Sequence, residues 1–144
     1  SDCLVGSEMC IRDRYNMIRT FLNSKIHKAT VTDSKIEYVG SCQIDIELLN
    51  AVNILPNEKI DIYNISNGER FSTYAIEGPP GSGMICINGA ACHKAGVGDH
   101  IIICTYADLK ESEIANHSPK VVYVDSKNRI IPKNTDTKLK MRNG

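Results

Sequence analysis

The sequence feature that most constrains the fold is an Asn-Gly dipeptide between two segments of strand-like composition. Residues 59–65 and 70–76 flank the tetrapeptide 66–69, whose central positions are Asn67 and Gly68. These two residue types tolerate the positive φ angles that a tight hairpin turn requires. The pattern therefore predicts an antiparallel hairpin, and it indicates that the surrounding chain also consists of short strands.

Further short apolar segments bounded by turn residues extend this β pattern. A short helix is predicted after the capping residue Asp45 and before Pro56, with Leu48, Val52 and Leu55 on one packed face. Numerous short strands with one small helix favour a compact, mainly β barrel over a layered α/β sheet. The other predicted strands are 29–32, 35–38, 84–88, 100–106, 121–124 and 129–131, and the predicted turns and loops are 33–34, 78–83, 96–99 and 125–128.

Composition limits the classes of function. The 144 residues, of which 42% are hydrophobic, suffice for one buried core. Seventeen basic residues balance seventeen acidic ones, so no net field attracts nucleic acid or an anionic membrane. No apolar run approaches the roughly 20 residues of a membrane span, and no signal peptide is visible. We therefore expect a cytoplasmic protein with a small-molecule partner, and neither a nucleic-acid nor a membrane partner.

The ends of the sequence differ from its centre. Residues 1–16 show no sustained periodicity, resemble a translated sequencing adapter and precede Met17, which looks like a natural start. We expect a non-native leader there, one domain over residues 17–131, and a polar, disordered tail over residues 132–144.

No metal site is predicted. The six cysteines include no C-x-x-C pair and no histidine partner at zinc-like spacing. Cys92, His93 and His100 are scattered over strands and turns, where such side chains are more often structural. Cys86 and Cys104 lie in apolar segments and are expected to be buried, reduced and inert.

Several motifs acquire meaning through their joint occurrence. A Gly-Ser pair alone indicates only a loop, and a lone lysine, arginine or histidine is best interpreted as a surface residue. Together, however, the motifs resemble the aspartate 1-decarboxylase family over residues 17 to about 131. The motifs are Met17–Thr20, Lys25-x-His27, Tyr38-x-Gly40-Ser41-Cys42, Asn67-Gly68-x-Arg70-Phe71-Ser72-Thr73-Tyr74-Ala75-Ile76, Asn88-Gly89-Ala90-Ala91-x-His93 and Val97-Gly98-Asp99.

This resemblance implies a self-processing enzyme. The chain would be cleaved between Gly40 and Ser41, and Ser41 would become a covalent pyruvoyl cofactor. Decarboxylation of an amino acid leaves electron density on Cα, and the pyruvoyl group would delocalise it through a Schiff base. The implied reaction converts L-aspartate to β-alanine and CO2 for pantothenate biosynthesis.

The resemblance also implies roles for individual residues. Tyr74 would be the proton donor, and Arg70 and Lys25 would bind carboxylates, Arg70 through its two-pronged guanidinium. We expect Gly40 to occupy a strained turn. Further implied substrate-binding residues are Thr73, Gly89, Ala90 and Ala91, whereas His27, Tyr38 and Asn88 would support processing or the site, with Thr73 and Asn88 as candidates to stabilise the oxyanion.

Strand periodicity agrees with only part of this assignment. Arg70, Ser72 and Tyr74 share one face of a strand, whereas Thr73 lies on the other. A bulge, a twist or a contribution through the backbone could each reconcile Thr73 with the site.

Fold and assembly are further implications of the resemblance. They are a six-stranded double-psi β-barrel with small helices, and a homotetramer with active sites between subunits. Tyr63 departs from the family, in which a tryptophan is expected, and Pro79-Pro80 is a second departure. Two alternatives stay open, namely a β-barrel binding module that is never processed and a pyruvoyl enzyme acting on another amino acid.

Overall fold

In a computed structural model that describes residues 17–132, strands predominate, which confirms a mainly β protein. The leader expected at 1–16 and the tail residues 133–144 lie outside the described residues. The strands are β1 (Ile18–Thr30), β2 (Asp33–Lys35), β3 (Ser41–Asp45), β4 (Lys59–Asn64), β5 (Arg70–Gly78), β6 (Ile85–Asn88), β7 (His100–Lys110), β8 (Lys120–Val124) and β9 (Ile130–Ile131). The helices are α1 (Ile46–Val52), α2 (Glu111–Ile114) and a 3-10 helix (Gly89–His93).

The nine described strands form one sheet in the order β2-β6-β3-β5-β4-β7-β1-β8-β9. β1 and β2 lie far apart in this order, yet only Val31 and Thr32 connect them. In a flat sheet their separation would be about 29 Å, whereas the connecting chain spans at most about 11 Å. The sheet therefore curls back on itself, and the Thr32 amide donates a hydrogen bond of 2.8 Å to the Ile85 carbonyl at the start of β6.

The sheet has nine strands where the resemblance implied six. Three of them, β2, β6 and β9, contain four residues or fewer. Inside the curl lie completely buried isoleucines, and α1 covers part of this core with Leu48, Leu49 and Val52. Burial of each such side chain contributes about 1.5–3 kcal/mol, so the core fixes which face of each strand that carries these isoleucines points outward. The completely buried isoleucines are Ile26, Ile44, Ile60, Ile62, Ile85, Ile87, Ile101 and Ile103.

The predicted hairpin is confirmed, although its turn is longer than expected. β4 and β5 pair antiparallel from Lys59 opposite Tyr74 to Tyr63 opposite Arg70. The connection covers residues 65–69, and within it Gly68 has the positive φ angle, at 80°. The turn is therefore a five-residue loop and not the tight two-residue form.

Asp45 caps α1 as predicted. Its carboxylate accepts a hydrogen bond of 2.9 Å from the Glu47 amide, and it also accepts from the amides of Gly81 and Gly83. The helix ends at Val52 because Asn53 adopts the left-handed conformation. The expectation that Leu55 lies on the packed face is consequently wrong, since Leu55 is 64% exposed.

Other strand boundaries also differ from the prediction. β1 is 13 residues long and contains two register shifts, and at the second of them Lys28 has a φ of 66°. Such bulges interrupt the alternation of polar and apolar residues, so periodicity showed only the end of this strand. The turn predicted at 33–34 and the strand predicted at 35–38 are wrong, because β2 covers Asp33–Lys35 and residues 36–38 form a turn.

Candidate active site

Ser41 occupies the first position of β3, which lies between β6 and β5. It pairs with Asn88 of β6. Cys42 of β3 pairs with Ala75 of the parallel strand β5, so the preceding residues, Ser41 and Tyr74, lie beside each other in the sheet. Residues paired across strands project from the same face of a sheet. Ser41, Asn88 and Tyr74 therefore form one row across three strands, on the side opposite the core.

The Ser41 side chain is held in a buried polar network. Ser41 is 3% exposed, and the Asn88 side-chain amide donates a hydrogen bond of 3.1 Å to its Oγ. The Ser41 hydroxyl donates in turn to the Val39 carbonyl at a longer 3.4 Å. The Cys86 thiol donates to the Asn88 Oδ1 at 3.2 Å, a contact that sequence reasoning missed. A serine that directly follows an exposed loop thus has a buried amide donor at its hydroxyl oxygen.

The strained backbone expected at Gly40 lies instead at Gly89. Gly40 has no positive φ, and a Cβ there would meet only the Asn88 carbonyl, at an ordinary 3.8 Å. Gly89 has a φ of 75°, and a Cβ there would lie 2.7 Å from the Gly40 Cα and 3.0 Å from the Tyr38 carbonyl. The expectation for Gly40 is wrong because the close approach of two backbones, and not the local turn, requires glycine.

The remaining residues of the expected substrate-binding segment lie in the 3-10 helix Gly89–His93, where Ala90 is exposed and Ala91 is partly buried. The side chain of Tyr38 is exposed, with the Lys35 ammonium 5.0 Å from the centre of its ring. Thr73 pairs with the fully buried Ile60 in an unbroken register, so no bulge turns Thr73 toward the Tyr74 face.

A second group of expected site residues lies elsewhere on the outer face. The Arg70 guanidinium lies 4.7 Å from the centre of the Tyr63 ring. The hydroxyl groups of Tyr63 and Tyr106 are 2.8 Å apart. The hydrogen bond to Tyr63, with burial, raises the pKa of Tyr106 above that of a free phenol, so Tyr106 stays protonated at neutral pH. Tyr63, the departure from the family pattern, thus contacts the expected carboxylate anchor.

The two cations do not reach Ser41 within one chain. Lys25 is on β1, and β5, β4 and β7 separate β1 from β3. Arg70 is four residues from Tyr74 on β5, about 13 Å along the strand. Because the sheet curls around the core, outward side chains diverge further. His27 is also on β1, with its ring 5.3 Å from that of Tyr123.

The expected site therefore divides into two clusters. The serine cluster consists of Gly40, Ser41, Tyr74, Asn88 and Gly89. The other residues, here named the cation cluster, share the outer face of the sheet without all touching one another: they are Lys25 on β1, and Arg70 on β5 with its contact Tyr63 on β4. Residues 17–132 contain no group of three or more His, Cys, Asp or Glu side chains that could hold a metal ion. None of the helices in this part of the chain is long and apolar enough to cross a membrane.

Comparisons with known proteins agree with the motifs. A family model described as aspartate decarboxylase matches residues 17–131. An aspartate 1-decarboxylase of Thioalkalivibrio sulfidiphilus is 55% identical over 120 residues, which cover 83% of this chain and 95% of the relative. The aspartate 1-decarboxylase of Staphylococcus epidermidis is 58% identical over 115 residues, or 80% of this chain and 90% of the relative. That of Tolumonas auensis is 52% identical over 125 residues, or 87% and 99%.

The fold and the serine cluster define a class, namely a small, mainly β enzyme with a buried, amide-bonded serine directly after an exposed loop. The family-model match over residues 17–131 and the sequence identities above 50% to aspartate 1-decarboxylases then identify the family within that class. The chain belongs to the aspartate decarboxylase family. It is a decarboxylase, so the alternative of a binding module is not favoured.

Proposed function

We propose that this chain is a cytoplasmic, self-processing decarboxylase that converts L-aspartate to β-alanine and CO2 and so supplies pantothenate biosynthesis. It would act as a homotetramer of processed chains on a six-stranded double-psi barrel formed by the longer strands. The hydrogen bond from the Asn88 amide to the Ser41 hydroxyl is the single observation that supports self-processing most strongly.

Self-cleavage would begin with the Ser41 hydroxyl. Its oxygen attacks the Gly40 carbonyl carbon, the bond between that carbon and the Ser41 nitrogen breaks, and the hydroxyl proton passes to the nitrogen. The product is an ester. Loss of the proton on Cα of residue 41 then expels Gly40 as a carboxylate and leaves dehydroalanine, and addition of water releases ammonia and leaves the pyruvoyl group. The Asn88 amide can stabilise negative charge on Oγ in the first step.

The surroundings of Ser41 fit a pyruvoyl group. When formed, this group supplies the electron sink that decarboxylation of an amino acid requires. The Asn88 amide donates to Ser41 Oγ, so a hydrogen-bond donor lies beside residue 41, where the pyruvoyl group would form. Gly89 lets the backbone of the 3-10 helix pass close to residue 40, so main-chain groups border the same place.

Tyr74 is the proposed proton donor to Cα after CO2 has left. It lies in the same row as Ser41, on the same face of the sheet. A phenol hydroxyl carries a proton that a positioned side chain can give to a strongly basic carbon.

The cation cluster would bind the carboxylates of aspartate. A unit charge about 4 Å from a carboxylate in a partly wet site contributes on the order of 4 kcal/mol before desolvation. Arg70 can add a two-bond geometry that Lys25 cannot. Because both cations are distant from Ser41 within one chain, we propose that a second copy brings its cation cluster to the serine cluster of the first. A site shared between two chains requires an oligomer, which the proposed homotetramer would provide.

Intact-mass measurement of the purified protein tests the processing step. We expect one chain ending at Gly40 and a second chain that begins at residue 41 without a free amine. Ser41→Ala should remain a single chain. Full-length protein that nevertheless produces β-alanine at an undiminished rate would exclude the pyruvoyl mechanism.

A panel of amino acids tests the substrate, and mixed tetramers test the shared site. Aspartate should be decarboxylated in preference to apolar amino acids, because only a dicarboxylate uses both cations.

Lys25→Ala and Tyr74→Phe chains, each inactive alone, should regain activity when produced together, because some sites then combine two intact clusters. No recovery in verified mixed tetramers would place both clusters of a site in one chain.

A further inference from the structure

Cys86 is a buried thiol next to the serine cluster that the proposed reaction does not use. It precedes Asn88 by two positions on β6, so both side chains project from the same face of the strand. Opposite them on β3 are Gln43 and Ser41. Cys86 is 1% exposed, and Asn88 and Ser41 are each 3% exposed, so bulk water does not compete for their hydrogen bonds.

The direction of the hydrogen bonds follows from the chemistry of each group. Burial raises the pKa of the Cys86 thiol, so it keeps its proton. A thiol is a weak donor and an even poorer partner for an N–H group, because its sulfur accepts weakly. The Asn88 Oδ1 lies 3.2 Å from Cys86 Sγ, and the Asn88 Nδ2 lies 3.1 Å from Ser41 Oγ. Cys86 therefore favours the amide orientation in which the NH2 group faces Ser41.

This orientation matters for the attack on Gly40. An N–H donor stabilises negative charge that develops on Ser41 Oγ as the proton leaves. If the Asn88 amide were reversed, the lone pairs of Oδ1 would face the same oxygen and repel that charge. The two orientations have nearly the same shape, so packing alone does not choose between them. A hydrogen-bond donor on the other side of the amide, as Cys86 provides, does select one orientation.

We infer that Cys86 is a positioning residue for self-cleavage, which acts by orienting the Asn88 amide toward Ser41. The inference rests on the proposed function, because it assigns a role within the cleavage reaction. Cys86 does not touch the reacting atoms.

Two substitutions separate hydrogen bonding from packing. Cys86→Ser keeps a donor in a smaller side chain, although its hydroxyl also accepts, and should cleave at a rate between those of the parent and Cys86→Val. Cys86→Val fills the space but has no donor and should cleave more slowly, on the order of ten-fold, as expected for loss of one buried hydrogen bond. A packing role predicts the reverse order. The rates are measured as the appearance of the chain ending at Gly40, by intact mass over time.

Cys92→Ala is the matched control. The Cys92 thiol donates a similar bond of 3.3 Å, but to the Ile87 carbonyl and not to the Asn88 side chain. Its removal should leave the cleavage rate unchanged, and thermal unfolding of every variant is measured in the Ser41→Ala background to separate rate from stability.

A double-mutant cycle tests the route of action. In Asn88→Ala protein, replacement of Cys86 by valine should cause no further slowing, because the amide to be oriented is absent. Equal slowing in both backgrounds, or Cys86→Ser slower than Cys86→Val, overturns the inference while leaving self-cleavage intact. If Asn88→Ala does not cleave at all, the order of the serine and valine variants decides. A parent protein that never cleaves would instead overturn the proposed function, and this inference with it.

Discussion

Replacement of Gly89 by alanine tests the contact between the 3-10 helix and Gly40, the proposed cleavage site. The new Cβ would lie 2.7 Å from the Gly40 Cα and 2.8 Å from the Gly40 nitrogen. Both are backbone atoms, so no rotamer change can relieve the contact. Carbon atoms pack at about 3.5–4.0 Å, and one of the two segments must therefore move by about 1 Å.

Two effects of the substitution can be estimated separately. The φ of 75° at Gly89 adds about 1–2 kcal/mol of strain for any residue with a Cβ. Displacement of reacting groups by about 1 Å slows a reaction by about a hundred-fold. We therefore expect Gly89→Ala to cleave about a hundred-fold more slowly, measured by intact mass over time. Its free energy of unfolding, measured in the Ser41→Ala background, should fall by at least the strain.

Gly98→Ala is the control for backbone strain. Gly98 also has a positive φ, of 90°, but a Cβ there would have no neighbouring atom within 4 Å. This variant should lose about 1–2 kcal/mol of stability and cleave at the parent rate. If Gly89→Ala cleaved as fast as Gly98→Ala, the close approach to Gly40 would have no role in cleavage.

Four further outcomes are expected. Tyr74→Phe should fold and cleave, and borohydride added with aspartate should still label the chain that begins at residue 41. Release of β-alanine should nevertheless be about a hundred- to ten-thousand-fold slower. Turnover near the parent rate would exclude Tyr74 as the donor. Arg70→Lys should process normally but lower kcat/KM for aspartate, because the two-bond geometry is lost; an unchanged value would move the anchor elsewhere. Asp99 accepts hydrogen bonds from the Gly96 amide and the Asn64 side chain, and these bonds lower the pKa of the Asp99 carboxyl. The ionised carboxylate therefore stabilises the folded protein at pH values above the unfolded pKa of about 3.9, and this stabilisation is lost as the pH falls through the folded pKa. Asp99→Asn should thus lower Tm at pH 7 by more than at pH 3, and a pH-independent difference would contradict this reasoning. Deletion of residues 1–16 should leave folding, cleavage and activity unchanged, and loss of folded protein would show that the leader is structural.

Local sequence signals predicted local structure well. Asn67 and Gly68 mark a real hairpin, and Asp45 caps α1, because turn and cap geometry depend on a few adjacent residues. The same kind of reasoning failed at Leu55, since Asn53 ended the helix before the proline did. It also missed most of β1, where two bulges interrupt the alternation that identifies a strand.

Candidate residues could be named from the sequence, but their arrangement could not be predicted. The family motifs predicted Ser41, Tyr74 and Asn88 as site residues, and the structure aligns these three in one row. The position of Lys25, separated from Ser41 by three strands, depends on the order of strands in the sheet. That order follows from long-range pairing, which hydrophobic periodicity does not encode. The contact of Cys86 with Asn88 was missed because an apolar strand context suggests an inert thiol.

Gly40 shows why the conformational demand at the site escaped sequence reasoning. Reasoning from the proposed reaction placed the strain at Gly40, whose carbonyl would be attacked. In the structure, the chain that leaves β6 turns at Gly89 and crosses the backbone of Gly40, because β6 and β3 are neighbours in the sheet. A glycine can thus be required by a backbone that passes over it as well as by its own φ angle. Gly89 has both a positive φ angle and a backbone passing close to it, whereas Gly98 has only the positive φ angle. Comparison of their alanine variants therefore separates steric support of the proposed cleavage site from simple backbone strain.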